Sequence, residues 1–125
     1  MDTKINGLWY LASPFSHAEA GVRAWRVEQN FLTMGKLLNA GYRVFSPLVH
    51  TYQLESRIAP ELAHKHSFWM DQDIALLRHC DGMFILTLDG WVQSKGVNQE
   101  LKVARSIMIP IVYLSAAGEI LETQT

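Results

Sequence analysis

Four short apolar runs, separated by segments of helical character, constrain the fold of this 125-residue chain most strongly. The runs occupy residues 8–12, 42–46, 83–88 and 110–114. Between them, apolar residues recur at helical spacing in the segments 18–40, 60–80 and 97–107. This alternation predicts an α/β fold with a mainly parallel sheet and right-handed crossovers.

Three further expectations concern the remaining segments. Residues 48–60 are predicted to be irregular, and a turn of helix is predicted at 119–121 in the tail. The apolar face of the first helix is predicted to contain Val22, Trp25, Phe31, Leu32, Leu37 and Leu38. The whole chain, residues 1–125, is predicted to form one domain.

Composition, net charge and cysteine content exclude several classes of protein. Hydrophobic residues make up 49% of the chain, and eleven basic against twelve acidic residues give a net charge of −1. No basic surface for a nucleic acid polymer is therefore expected. The one cysteine, Cys80, excludes an internal disulfide and fits a reducing compartment. Since Met1-Asp2-Thr3-Lys4 lacks a signal-peptide layout and no apolar run has membrane-spanning length, we expect a cytoplasmic protein without a membrane partner.

The predicted topology also locates a ligand pocket. In open parallel sheets, ligands bind beyond the carboxyl ends of the strands, where the strand order reverses. In a small fold of this kind we expect the reversal between the first and third strands. The loop that starts at Ser13 would then lie beside the loop 89–96, which precedes a helix. Backbone N–H groups and a helix dipole make such a corner suitable for an anion.

Glu100 stands inside the apolar seam of that helix. The seam consists of Val97, Leu101, Ala104, Ile107 and Met108. Carboxylates are seldom placed on the core-facing side of a helix. Glu100 is therefore either a residue that satisfies the helix dipole from the rim of the seam or a catalytic carboxylate held ionised by that dipole.

Asp73 repeats this placement in the preceding helical segment, three residues after Met70 and four before Leu77. Two such carboxylates, on helices that flank one strand, suggest a pair. Paired carboxylates cleave bonds at an anomeric carbon, one as nucleophile and the other, with a raised pKa, as acid. Tyr10, two residues before the end of the first strand, is placed to reach the same pocket. The alternatives are a surface position for Asp73 and a core position for Tyr10.

Other chemistry-bearing residues match no motif. The segment Ser94-Lys95-Gly96 lacks the frame of a P-loop, and no Ser-His-Asp or Cys-His system is visible. Trp91 is the tryptophan placed to stack on a base, and His50 is a candidate for the base side of the pocket. No metal or cofactor is predicted, because four potential ligands lack zinc spacing: His64, His66, His79 and Cys80.

Three motifs stand in a defined order along the chain. They are Tyr10-Leu11-Ala12-Ser13-Pro14-Phe15, then Asp73 eight residues before Asp81, then Ser94-x-Gly96-Val97-x-x-Glu100-Leu101 followed by Ala104. Together they resemble the nucleoside 2-deoxyribosyltransferase-like superfamily, and within it a small bacterial branch of unknown function. The resemblance spans nearly the whole chain.

This resemblance implies a flavodoxin-like three-layer sandwich of four to five strands that cleaves the N-glycosidic bond of a nucleoside or nucleotide. Glu100 would attack the anomeric carbon, Tyr10 would orient that carboxylate, and Asp73 would protonate the leaving base. The implied substrate-binding residues are Ser13, Pro14, Phe15, Asp89, Gly90, Ser94 and Gly96. The resemblance also implies a homo-oligomer, a dimer or tetramer, in which a neighbouring chain completes the pocket.

One departure from the superfamily pattern separates two reactions. Six residues before the nucleophile, the transferases carry an Asp that holds the free 5′-hydroxyl, where this chain has Ser94. The related deoxynucleoside 5′-monophosphate hydrolases carry Ser there as a phosphate donor, which favours a nucleotide N-glycosidase. Those hydrolases also have an Arg in the loop after the first strand, where this chain has Ser16-His17. Whether Arg23 and Arg26 reach the pocket from the following helix is left open.

Several alternatives remain at this point. The chain would otherwise be a base-exchanging deoxyribosyltransferase, or a nucleotide-binding module that has lost turnover. A phosphoribohydrolase of the lysine-decarboxylase-like fold would need a Gly-Gly-x-Gly-Thr corner, which is missing. A purely structural protein would leave the two carboxylates at Asp73 and Glu100 unexplained.

Overall fold

The four strands of the sheet run parallel in the order β2-β1-β3-β4. They are β1 Leu8–Ala12, β2 Arg43–Phe45, β3 Gly82–Leu86 and β4 Ile111–Leu114. The computed structural model describes residues 7–121, so the expectations for residues 1–4 and for the end of the tail lie outside it. The predicted parallel sheet is confirmed, and the strand order reverses between β1 and β3 as expected.

Helices cover both faces of the sheet and produce a flavodoxin-like three-layer sandwich. Within the described residues they are α1 Ala20–Asn39, α2 Pro47–Tyr52, α3 Pro60–Ala63, α4 His66–Leu77 and α5 Lys95–Ser106. Successive residues of a strand point to opposite faces. Tyr10 and Ala12 of β1 therefore pack in the core beneath α4 and α5, whereas Trp9 and Leu11 pack in the core beneath α1.

Two connecting segments differ from the prediction. Residues 48–60 are not irregular, because they contain most of α2 and a 3₁₀ turn at Glu55–Arg57. Ser46 and Pro47 start α2: the Ser46 hydroxyl accepts the N–H of Val49 at 3.1 Å, and proline suits the first helical position. The segment 60–80 is divided into α3 and α4.

The tail forms a turn in place of the predicted helix at 119–121. Leu114 makes an antiparallel bridge to Ile120. Between them, Ser115 accepts the N–H groups of Ala117 and Glu119, and Gly118 has a positive φ of 82°. The side chain of Ser115 therefore competes successfully with helical hydrogen bonding.

Helix α1 buries a different face from the one predicted. Of the predicted apolar set, only Leu37 is buried, whereas Trp25 and Leu32 are 48% and 53% exposed. The residues that face inward are Arg26, Val27, Asn30, Thr33 and Leu37. Arg26 and Asn30 of this set bond to the loop after β1, and those bonds favour the observed orientation of the helix.

Helix α5 follows the predicted seam except at its end. Val97, Glu100, Leu101 and Ala104 are buried, but Met108 is 87% exposed and has a positive φ of 59°. Met108 therefore lies beyond the helix and outside the seam.

Among residues 7–121, no helix is both long and apolar enough to cross a membrane.

Candidate active site

A cavity of about 930 Å³ lies at the carboxyl ends of β1 and β3. The loop after β1 and the loop after β3 both line it, as the topology predicts. Most of the predicted site residues line the cavity: Ser13, Pro14, Phe15, Asp73, Gly90, Ser94, Gly96 and Glu100. Asp89 and Tyr10 are not among the lining residues: Asp89 is exposed and bonds to Arg26 through its carbonyl, and Tyr10 has the core position that was the alternative for it.

Tyr10 and Glu100 form a buried hydrogen-bonded pair beneath the cavity. The tyrosine is 0% exposed and the glutamate 5%, and the phenol hydroxyl of Tyr10 donates to Oε2 of Glu100. Burial, followed by the charge of Glu100, raises the pKa of Tyr10 far above its ordinary value. The phenol therefore stays protonated and remains a donor to the carboxyl group at any working pH.

The Glu100 carboxyl is itself hard to ionise. Burial raises its pKa to about 8, against the lowering effect of the Tyr10 hydrogen bond and with a further raising effect of Asp73. Both interpretations of Glu100 from the sequence, at the rim of the seam or held ionised by the helix dipole, need correction. Glu100 lies inside the seam and not at its rim, and desolvation outweighs any ionising effect of the helix terminus.

Asp73 is a second buried carboxyl in the same cavity. It is 9% exposed, which excludes the surface alternative, and its Oδ1 atom has no hydrogen-bond partner within residues 7–121. Burial raises the pKa of Asp73 to about 6, and the nearby His66 lowers it. A buried oxygen without a partner is costly, so this atom is available to a hydrogen-bond donor on a ligand.

The raised pKa of Glu100 predicts a pH-dependent stability. A carboxyl whose pKa rises from 4.5 to about 8 on folding stabilises the protein fully below pH 4.5 and loses this contribution as the pH rises through 8. Glu100→Gln should therefore match the wild type in melting temperature near pH 4.5 and exceed it by several degrees at pH 8.5. Calorimetry at both pH values measures this difference. Glu55→Gln, which alters an exposed carboxylate at the cavity, is the control and should change neither value.

Arg26 connects the two loops of the site. Its Nη1 donates to the carbonyls of Ser16 at 2.9 Å and Phe15 at 3.3 Å, and its Nη2 donates to the carbonyl of Asp89 at 2.7 Å. Gly90 is needed beside it, because its φ is +90° and a Cβ atom there would lie 2.9 Å from Nη2. The guanidinium, only 6% exposed, therefore holds both walls of the cavity in place.

Asn30, one turn later on α1, fixes the loop after β1. It is fully buried, and its Nδ2 donates to Oγ of Ser13 at 2.9 Å while its Oδ1 accepts from Ser46 at 3.4 Å. Neither Arg26 nor Asn30 was predicted as a site residue. The available signal was the recurrence of Arg26, Asn30 and Thr33 at helical spacing, which marks a polar inward face.

Ser94 begins α5 at the anion-binding corner. Its Oγ accepts the N–H of Val97 at 3.2 Å, so it is the N-cap of the helix. Within the described part of the chain, the hydroxyl proton of Ser94 has no acceptor. This hydroxyl can therefore donate to an anion while it caps the helix.

Basic residues outnumber acidic residues along the cavity. The lining acids are Glu55, Asp73 and Glu100, and the lining basic residues are His17, Arg23, Arg26, His64, Lys65, His66 and Lys95. Across residues 7–121 none of these basic residues is ion-paired. Arg23 and Arg26 thus both reach the pocket, which answers the question that the sequence left open.

The pocket positions predicted for Trp91 and His50 are wrong. Trp91 packs against Tyr113, with ring centroids 5.6 Å apart, and does not line the cavity. His50 lies against Phe45 and lines a separate cavity of about 420 Å³. The aromatic walls of the main cavity are Phe15 and Trp69, and the Trp69 indole is held by a 2.8 Å bond to the carbonyl of Ala63.

No group of three or more His, Cys, Asp or Glu side chains suited to a metal ion occurs in residues 7–121.

Comparison with known proteins gives one family. No curated protein matches this chain. A family model described as a domain of unknown function (DUF1937) matches residues 7–116, which include the whole sheet and every residue of the site described above. The chain therefore belongs to the DUF1937 family.

Proposed function

We propose that this chain is an N-glycosidase that hydrolyses (deoxy)nucleoside 5′-monophosphates to a free base and a sugar phosphate. The observation that carries the proposal is the Glu100 carboxyl, buried and bonded by Tyr10, in one cavity with the unpartnered Asp73 carboxyl. Displacement at an anomeric carbon needs one ionised carboxyl to attack and one protonated carboxyl to donate a proton. Because Glu100 has the higher pKa of the two, the pair reacts through the less populated form, with Glu100 ionised and Asp73 protonated.

The reaction has two steps. First, a carboxylate oxygen of Glu100 bonds to C1′ as the C1′–N bond breaks, and the base takes the electron pair and the proton of Asp73. Second, water attacks C1′ and gives a proton to Asp73, and the bond to Glu100 breaks with its electron pair returning to the carboxylate. Tyr10 donates to Glu100 and fixes its orientation in both steps.

A 5′-phosphate suits the corner at the start of α5. The Ser94 hydroxyl and the first N–H groups of the helix are donors, and Lys95 and Arg23 line the same cavity. Arg23 bonds through Nη1 to the carbonyl of His17, which leaves its other nitrogens available to a phosphate.

The direct test is base release, measured by chromatography over nucleosides and their 5′-monophosphates, with and without a second base. The proposal expects release from monophosphates in water alone. Release only with a second base would instead identify a base-exchanging transferase. Nucleotide binding with no release over the whole panel would identify a binding module.

Ser94→Asp should reverse the preference for the phosphate. The new carboxylate would repel a phosphate, so kcat/KM for a monophosphate should fall about 10-fold or more while kcat/KM for the nucleoside stays constant or rises. Ser94→Asn is the matched control, because asparagine also caps a helix but adds no charge. Equal losses in the two variants would show that the position serves the helix and not the phosphate.

A homo-oligomer and a cytoplasmic location are parts of the same proposal. The exposed apolar side chains of α1, among them Trp25, Leu32 and Leu38, support self-association. The single Cys80, buried and free, is compatible with a reducing compartment.

A further inference from the structure

His66 belongs to no step of the reaction described above, yet it lines the same cavity as the two carboxyls. It is the first residue of α4 and precedes Asp73 by seven residues, which is two helical turns, so both side chains lie on one face. Both line the main cavity, and the charge of His66 acts on Asp73.

The imidazole also reaches the neighbouring helix. Nε2 of His66 lies 2.7 Å from Oε1 of Gln99, the residue that immediately precedes Glu100 on α5. Because an amide oxygen can only accept, Nε2 is the donor in this bond. One side chain therefore contacts both of the helices that carry the catalytic carboxyls.

The two helices lie side by side at Gly96, the second residue of α5. A Cβ atom at this position would lie 3.4 Å from Cε of Met70 and 3.8 Å from Cε1 of His66. The first turn of α5 thus packs directly against the face of α4 that carries Asp73. The bond from His66 to Gln99 spans this contact at its solvent-exposed edge.

We propose that His66 is a positioning residue for the carboxyl pair: from the face of α4 that carries Asp73, its bond to Gln99 fixes α4 against α5, which carries Glu100. This inference rests on the proposed N-glycosidase function. The other charged or titratable groups near the pair are Tyr10 and Glu100 beneath the cavity and, along its walls, His17, Arg23, Arg26, Glu55, His64, Lys65 and Lys95. Among the described residues that line the cavity, His66 is the one whose side chain joins α4 to α5 by a hydrogen bond.

Two variants distinguish the effect of the His66–Gln99 hydrogen bond from the effect of the His66 charge. His66→Gln keeps a side-chain amide that can donate to Gln99 but removes the charge, whereas Gln99→Ala removes the bond and keeps the imidazole. His66→Gln should move the ionisation of Asp73 to higher pH, because a favourable cation is lost. Gln99→Ala should lower kcat about 10-fold with little change in KM, because the two carboxyls are less well aligned.

The ionisation is measured from the carboxyl ¹³C chemical shift of Asp73 across pH, which needs no catalysis. His79→Gln is the control, because His79 is exposed at the far end of α4 and does not line the cavity. An unchanged Asp73 titration in His66→Gln, or a wild-type kcat in Gln99→Ala, overturns the inference. If the wild type releases no base, the proposed function fails, and the Asp73 titration still decides the role of His66.

Discussion

Glu100→Gln should lower base release from nucleoside monophosphates by about 1,000-fold or more. The amide cannot form the glycosyl-enzyme bond, and displacement reactions of this type depend on that nucleophile. Rates are measured by chromatography under single-turnover conditions with enzyme in excess. Since burial of the ionised carboxyl destabilises the fold, the variant stays folded and the loss is chemical.

The matched control for this variant is Glu55→Gln. Glu55 also lines the cavity but is exposed and contacts neither Tyr10 nor Asp73. It should retain the rate of the wild type. Full activity in Glu100→Gln would refute the assignment of the nucleophile and, with it, the proposed reaction.

Asp73→Asn should lower the rate about 100- to 1,000-fold for ordinary bases, because the leaving base loses its proton donor. The loss should be much smaller for a substrate whose leaving group departs without a proton. Asp71→Asn changes an exposed carboxylate on the same helix and is the control. An equal loss on both kinds of substrate would exclude Asp73 as the acid.

The same variant should change the pH profile. In the wild type, the carboxyl pair loses its protons near pH 6 and near pH 8. The proposed reaction uses the singly protonated pair in which Glu100 is ionised and Asp73 is protonated, which is the less populated of the two singly protonated forms because Glu100 has the higher pKa. The rate should therefore be bell-shaped with a maximum between these values. In Asp73→Asn the alkaline limb should disappear, and the remaining rise should move below pH 8, because the Asp73 charge no longer raises the pKa of Glu100.

The sequence located the carboxyl pair because a buried charge interrupts a helical apolar seam. Glu100 and Asp73 each occupy a position where the spacing requires an apolar side chain, and the structure buries both. The carboxyl ends of β1 and β3 were predictable for a similar reason, since the order of strands and helices restricts the topology.

The polar supports of the site were not predictable in this way. On α1, hydrophobicity placed Trp25 and Leu32 inward, but the helix turns Arg26 and Asn30 to the loops and leaves the apolar residues exposed. The energy of those bonds depends on where distant loop atoms lie. A local sequence pattern does not contain that information. The position predicted for Trp91 was wrong for the same reason. Its ring packs against Tyr113 of β4, which is distant in the sequence.

The bond between Tyr10 and Glu100 has a consequence for synthesis of the protein. The two residues are 90 positions apart, and Tyr10 lies on β1, which pairs with both β2 and β3. A ribosome makes Tyr10 first, and Glu100 follows 90 positions later. A fragment that stops after β3 therefore contains Tyr10 without its carboxyl partner, and the hydrogen-bonded pair beneath the cavity cannot form in it.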